Sequence, residues 1–259
     1  VNIEALILAE TGSPRLRPLT EHLPTCLVPV GGTPILDHEI QALHSVGVNH
    51  ITVIGGYRAA QVEQACRAYG DVRFCVNSRY SRVEPRLSAL RAAGAMPARS
   101  LLLVRGELVF DGVMVEELVH GEEGNRVVVD AAGEPAGIWW LTARTAAALF
   151  AAAGDDGAEL DSSEGLYEVL QNVLEQHGHE TVAVNGHPWA RVESMEDLAR
   201  ALKAHRLVAE ARVARHEERL RVDSPLGLPV RPIPPRLPAP PIPPTRSNLP
   251  RTVMKPIHP

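Results

Sequence analysis

The sequence predicts an α/β fold: a mainly parallel sheet with helices on both faces. Three observations carry that expectation. Short apolar or β-branched runs alternate with helix-period segments from Glu4 to Val129. The connections between them are short, which for parallel strands implies right-handed crossovers. The chain has 259 residues, 45% of them hydrophobic, enough to bury a substantial core.

In chain order, Glu4–Leu8 is an apolar run suited to a buried strand, and a polar loop follows to Thr20. Ile35, Leu36, Ile40, Leu43 and Val46 share one helical face, and Gly47 closes that helix. His50–Ile54 is β-branched and strand-like. Ala59–Tyr69 reads as a helix, Arg73–Val76 as a strand and Arg86–Ala93 as a helix. Then come a strand at Ser100–Val104, a helix at Val113–Val119 and a strand at Arg126–Val129. Gly137–Thr142 is a strand, Ala143–Ala153 an alanine-rich helix and Gly154–Gly165 an acidic loop. A helix at Leu166–His177 and a strand at Thr181–Val184 precede a long helix, Met195–Arg221, with Leu198, Leu202, Leu207 and Ala211 assigned to one side. That helix is a candidate homodimer contact. Ligands of such sheets bind beyond the carboxyl ends of the strands, which directs attention to the loop after Leu8.

Proline and charge are unevenly placed. Thirteen of the 22 prolines fall between Pro225 and Pro259. Each fixes φ and removes an N–H, which forbids helices and central strands. Five cations and no carboxylate lie in that stretch, so the net charge of −5 becomes about −10 on the first 224 residues. Residues 223–259 read as an extended basic tail, and Pro241–Arg246 has the Pro-x-x-Pro-x-Arg form of an SH3 ligand, a candidate protein-binding segment. The acidic balance of the rest gives no reason to expect nucleic-acid binding. No apolar run approaches the ~20 residues that cross a bilayer, so no membrane span is expected. Cys26, Cys66 and Cys75 are odd in number and irregularly spaced, which predicts neither a disulfide framework nor a zinc site. With an N-terminus lacking a basic lead, they point to a reducing cytoplasm.

The segments Arg15–Thr20, Pro24 and Leu27–Leu36 resemble the sugar-phosphate nucleotidyltransferase superfamily, nearest its phosphocholine cytidylyltransferase-like branch. The likeness continues through Ile51–Arg58, Asn77–Tyr80, Leu101–Phe110, Gly137–Leu141 and Trp189–Ala201, over roughly residues 3–205. It implies a Rossmann-like nucleotidyltransferase domain over residues 1–222. It also implies transfer of an NMP, CMP favoured, from a nucleoside triphosphate to a small phosphorylated or phosphonate acceptor, with release of pyrophosphate. In-line attack on an α-phosphate needs phosphates held in line and their charge neutralised by cations, Mg²⁺ and backbone N–H groups.

The family supplies these through a Leu-Ala-Ala-Gly-x-Gly-Thr-Arg loop, a Pro-Lys pair and two metal-binding aspartates. Here the loop reads Leu8-Ala-Glu-Thr-Gly-Ser-Pro-Arg15. Leu8, Ala9, Gly12, Ser13 and Arg15 take the nucleotide-binding positions. Thr11 and Ser13 replace glycines, and Pro14 removes a donor. Thr25 replaces the lysine and Glu10 an alanine. A carboxylate ~5 Å from a phosphate charge costs about 3 kcal/mol at an effective dielectric near 20.

Glu107, in Arg-Gly-Glu, and Glu193, in Trp-Ala-Arg-Val-Glu, fall where the family places its metal aspartates. Mg²⁺ is therefore the expected cofactor, with Glu107 and Glu193 as its ligands. With Arg15 they form the expected catalytic set. Both changes lengthen the arm, so either the metal site is rebuilt or selection for aspartate geometry has relaxed. Trp189 and Tyr167 are the acceptor-site candidates, with Trp139, Trp140 and the acidic loop able to enclose a cationic group. Val83–Arg86 stands where the branch carries Thr-Asn-Asn, so base contacts do not transfer. Two other readings fit this pattern: a nucleotidyltransferase-fold binding or regulatory subunit without transfer activity, and a different reaction in the same cleft.

Overall fold

The computed structural model describes residues 3–81, 87–94, 99–121, 123–154, 165–184 and 186–222. The tail from 223, the acidic stretch 155–164 and all of Val83–Arg86 lie outside the described residues, as do the expectations placed on them.

The elements in order are β1 (Ile3–Ala9), β2 (Pro29–Val30), β3 (Thr33–Pro34), α1 (Ile35–Ser45), β4 (Ile51–Gly55), α2 (Ala59–Cys66), β5 (Val72–Val76), α3 (Ser88–Ala93), β6 (Ser100–Arg105) and β7 (Leu108–Phe110). They continue with α4 (Gly112–Val119), β8 (Arg126–Val129), β9 (Pro135–Leu141), α5 (Ala143–Ala153), α6 (Leu166–His177), β10 (Glu180–Ala183), β11 (Trp189–Arg191) and α7 (Met195–Val222). Seven strands form one sheet in the order β10-β8-β9-β6-β1-β4-β5. Only β9 runs against its neighbours, β6 and β8.

Alternation along the central strand decides the two layers. Ile3, Ala5, Ile7 and Ala9 of β1 face a core shared with α1, α2 and α4. Leu6 and Leu8 face the opposite core, built from α3, α5 and α6. Helix ends follow their capping chemistry: the Thr142 side chain accepts from the Thr145 N–H to start α5, and Gly154 at φ +72° ends it. The sheet is the mainly parallel, doubly covered one that the alternating pattern predicted.

Three details differ from the sequence reading. Helix α2 stops at Cys66, and two turn hydrogen bonds, Ala68 N–H to Ala65 O and Tyr69 N–H to Cys66 O, carry the chain on. The buried face of α7 is Ala201, Ala204 and Val208, with Leu202 and Leu207 exposed at 45% and 44%. Small side chains allow the helix to lie close over Val109, Ala190 and Val192, whereas leucines would hold it off. The strands β7 and β11 have three residues each, too short for a periodicity signal. They nevertheless build the site.

Candidate active site

The site lies beyond the carboxyl ends of β1 and β6. Gly106 allows the two strands to meet there: its N–H donates to Leu8 O at 3.1 Å, and a Cβ at 106 would stand 2.7 Å from that same oxygen. Only glycine lets the chain cross the end of β1 at this distance. Glu107 then emerges beside the loop that follows β1.

Glu193, 86 residues further on, reaches the same place through the antiparallel pair of β7 and β11. Leu108 pairs with Arg191, and the Val192 N–H donates to Glu107 O at 2.8 Å. Glu39, wholly buried on α1, fixes the start of β7 by accepting the Leu108 N–H at 2.8 Å through Oε1. Burial raises the Glu39 pKa well above the usual carboxylate range, with nearby Glu107 adding to the rise. Burial thus favours the neutral form of Glu39, which clamps the start of β7 through its carbonyl-type oxygen.

The two carboxylates meet around a guanidinium. Arg105, the last residue of β6, donates from Nε to Glu107 Oε1 at 2.5 Å and from Nη2 to Glu193 Oε1 at 2.8 Å. Glu107 Oε2 accepts the Thr11 hydroxyl at 3.2 Å. Arg191 Nε stands 3.5 Å from Glu193 Oε1. The Tyr167 ring lies against the Arg105 guanidinium, 5.0 Å from Cζ to its centroid, and stacks in turn on Trp139. Burial alone would lower the Arg105 pKa, but Glu107, with Tyr167 and Glu193 behind it, holds it above its ordinary value. Arg105 carries its charge at every relevant pH.

The loop after β1 is braced on all sides. The Ser13 N–H donates to Thr25 Oγ1 at 2.9 Å, and the Ser13 hydroxyl donates to Glu193 O at 2.6 Å. Gly12 packs under Tyr57, where an added Cβ would meet the ring at 2.6 Å. Glu10 is fully buried; its Oε1 accepts the Asn77 amide and its Oε2 has no hydrogen-bond partner. Desolvation raises its pKa from 4.5 to about 7, against the opposing pull of the Asn77 bond.

A cleft of about 190 Å³ is lined by Thr11, Ser13, Pro14, Arg15, Thr25, Arg105, Glu107, Val192 and Glu193. Of the sequence-predicted residues, Ser13, Arg15, Glu107 and Glu193 share it. Leu8 and Ala9 are buried in β1, and Gly12 faces Tyr57, so none of these three lines the cleft. Trp189 lines a separate, polar cleft with Asp130, Arg191, Asp197 and Arg200, into which Glu193 also reaches. Tyr167 lines neither; its ring supports Arg105 and its hydroxyl is buried. Trp139 and Trp140 are core residues of opposite layers.

Glu107 and Glu193 were expected to hold Mg²⁺, and they do converge. Their oxygens are engaged elsewhere, however. Both Glu107 oxygens and Glu193 Oε1 accept hydrogen bonds, and Arg105 stands between the two side chains. A hard divalent cation needs several oxygen ligands at close range, with no cation among them. In this arrangement the donor set does not fit Mg²⁺.

The sequence reading missed Arg105 and Glu39. Both leave a signal: an arginine ending an otherwise aliphatic strand, and a carboxylate three and four residues from core positions of an amphipathic helix.

Residues 5–176 match the sequence profile described as MobA-like NTP transferase domain. The chain belongs to that family. This NTP transferase domain is 31% identical over 133 residues to the CTP:phosphoglutamine cytidylyltransferase of Campylobacter jejuni, covering 49% of this chain and 53% of that protein. Over 79 residues it is 38% identical to the choline-phosphate cytidylyltransferase of Streptococcus pneumoniae, 30% of this chain and 34% of that one. The chain thus spans about half the first relative and a third of the second. Among solved structures, the CTP:phosphocholine cytidylyltransferase from S. pneumoniae superposes with a TM-score of 0.61 at 17% identity, covering 78% of this chain and 99% of that one. The inositol-1-phosphate CTP transferase from T. maritima gives 0.61 at 15%, covering 78% and 95%. These two show the shared NTP transferase fold. No described helix is long and apolar enough to cross a membrane.

Proposed function

We propose that the domain binds a nucleoside triphosphate, CTP favoured, and transfers its NMP to a small phosphorylated or phosphonate acceptor. An acceptor oxygen attacks the α-phosphorus, the bond to the bridging oxygen breaks, and pyrophosphate leaves with that electron pair. The observation that carries this reading is convergence. The loop from Thr11 to Arg15, the end of β6 and the end of β11 close on one cleft, in a chain of this family. The relatives named for CTP or CMP chemistry support cytidine, among them the CMP-5'-(3-aminopropyl)phosphonate synthase of Streptomyces rubellomurinus, 31% identical over 130 residues.

In this mechanism Arg15, exposed at the cleft, holds the phosphates. Arg105 contributes fixed positive charge where negative charge accumulates on the leaving group. Glu107 and Glu193 orient Arg105, and the Thr11 hydroxyl steadies Glu107. Partial protonation of Glu10 near neutral pH reduces the repulsion that a carboxylate at this end of the loop exerts on a triphosphate.

A second reading, binding without transfer, draws on the braced loop. The Ser13 amide is already spent on Thr25, and the cleft is smaller than the roughly 300 Å³ at which ligand pockets begin. Pyrophosphate release separates the two. The chain is incubated with each of the four NTPs and with phosphocholine or 2-aminoethylphosphonate. Acceptor-dependent release from CTP supports transfer, and heat of CTP binding without release supports the second reading. Neither heat nor release with any NTP rejects both.

A further inference from the structure

We propose that the Arg105 guanidinium is a built-in cation standing in place of a divalent ion between Glu107 and Glu193, so that the site takes phosphate anions without first binding a metal. Arg105 would hold this place whether or not the cleft transfers a nucleotide.

Geometry makes the first case. The planar fork of an arginine can address two carboxylates at once, and here Nε and Nη2 do so at 2.5 and 2.8 Å. The Tyr167 ring covers one face of the guanidinium. Nη1 makes no hydrogen bond among the described residues, which leaves donors on a side chain that lines the cleft.

The surrounding backbone is adapted to this side chain. Gly137, on the neighbouring strand β9, has φ +103°, and a Cβ there would lie 2.8 Å from Arg105 Cδ. A glycine at 137 therefore gives the aliphatic part of Arg105 its path to the two carboxylates.

Charge makes the second case. In the cleft Glu107 and Glu193 are balanced by Arg105 and Arg15, and Arg191 stands beside Glu193 just outside it, so the cleft is not negative. A metal-binding pair of carboxylates would instead leave the cleft negative until the ion arrived. A divalent ion entering here would have to displace Arg105 from both partners while its charge repelled the guanidinium.

Removing Arg105 should turn the site into a metal site. In Arg105→Ala, Glu107 and Glu193 face each other without their shared cation, and a divalent ion then relieves their repulsion. Arg105→Lys keeps a charge but loses the fork.

The test uses the full chain and Mn²⁺ alone, followed by the paramagnetic resonance of free Mn²⁺ and by thermal unfolding. The native chain is expected to leave the Mn²⁺ signal and its own Tm unchanged. Arg105→Ala is expected to unfold at a lower temperature, to take up one Mn²⁺ and to regain Tm when the ion is added. Adding Glu193→Gln to Arg105→Ala should abolish that uptake.

Inorganic pyrophosphate is the anion probe. It should bind the native chain equally with and without EDTA, and Arg105→Ala should weaken metal-free binding roughly tenfold or more. Stoichiometric Mn²⁺ uptake by the native chain, lost in Glu107→Gln or Glu193→Gln, would overturn the proposal. Pyrophosphate binding that appears only when Mn²⁺ is present would do the same. The native-chain measurements decide the matter even if Arg105→Ala fails to fold. Neither arm requires a nucleotide or an acceptor, so failure of transfer leaves the result interpretable.

Discussion

Replacing Glu10 with glutamine should stabilise the protein at alkaline pH and leave it nearly unchanged at acid pH. Glu10 is fully buried at the end of β1, with Oε1 held by Asn77 and Oε2 unpartnered. Burial raises its pKa from 4.5 to about 7. Between those values the folded chain retains a proton that the unfolded chain has released. Stability conferred by the protonated form is therefore present at low pH and lost as pH rises through this window, with no further loss above it. One pKa unit corresponds to about 1.4 kcal/mol, so the loss between about pH 4.5 and about pH 7 is on the order of 3 kcal/mol. Glutamine has nearly the same shape and no charge, and its Oε1 can keep accepting the Asn77 amide, which Ser88 and Arg79 hold in its present orientation. Urea unfolding of both proteins at about pH 5 and about pH 8.5 reads the difference directly. The variant should match the native chain within about 1 kcal/mol at the lower pH and exceed it by about 2–3 kcal/mol at the higher. A gap independent of pH, or a native chain that is the more stable at alkaline pH, would refute the assignment of a strained, buried carboxyl.

Further outcomes follow from neighbouring residues. Gly106→Ala places a methyl 2.7 Å from Leu8 O, a backbone atom, and should cost about 1–3 kcal/mol in chemical denaturation. Gly137→Ala combines positive φ with a 2.8 Å contact on Arg105 Cδ; it should lower Tm and weaken pyrophosphate binding together, because both depend on the path of that side chain. Arg15→Ala removes an exposed cation that lines the cleft, so calorimetry should show triphosphate binding weakened by roughly ten- to a hundredfold with Tm unaltered. Thr11→Gly, Ser13→Gly and Thr25→Lys together restore the family loop; the triple variant should bind triphosphate more tightly while losing stability, since Thr11, Ser13 and Thr25 brace the loop now.

The doubly covered sheet was legible because β1, β4 and β6 are short aliphatic runs separated by amphipathic helices, and burial on two faces demands that pattern. Convergence of Glu107 and Glu193 was legible only through resemblance, since nothing local to either residue points to the other. Three-residue strands bring them together, and such strands carry no period. The occupant of that convergence was not legible at all. Sequence places Arg105 at a strand end, where an arginine usually snorkels into solvent. Only the pairing of β7 with β11 and the absent side chain of Gly137 turn it inward. Tyr167 followed the same logic: it was expected at an acceptor, yet the stacking on Trp139 sets its ring against Arg105.

The central claim is that the cleft between the Thr11–Arg15 loop and Arg105 receives the phosphates of a nucleotide. A crystal structure of the native chain grown with CTP and EDTA tests it most directly. The expected density is a triphosphate contacting Arg15 and the free Nη1 edge of Arg105, with Glu107 and Glu193 still bonded to that guanidinium. Density for CTP at any other surface, or an empty cleft at saturating nucleotide, would contradict it.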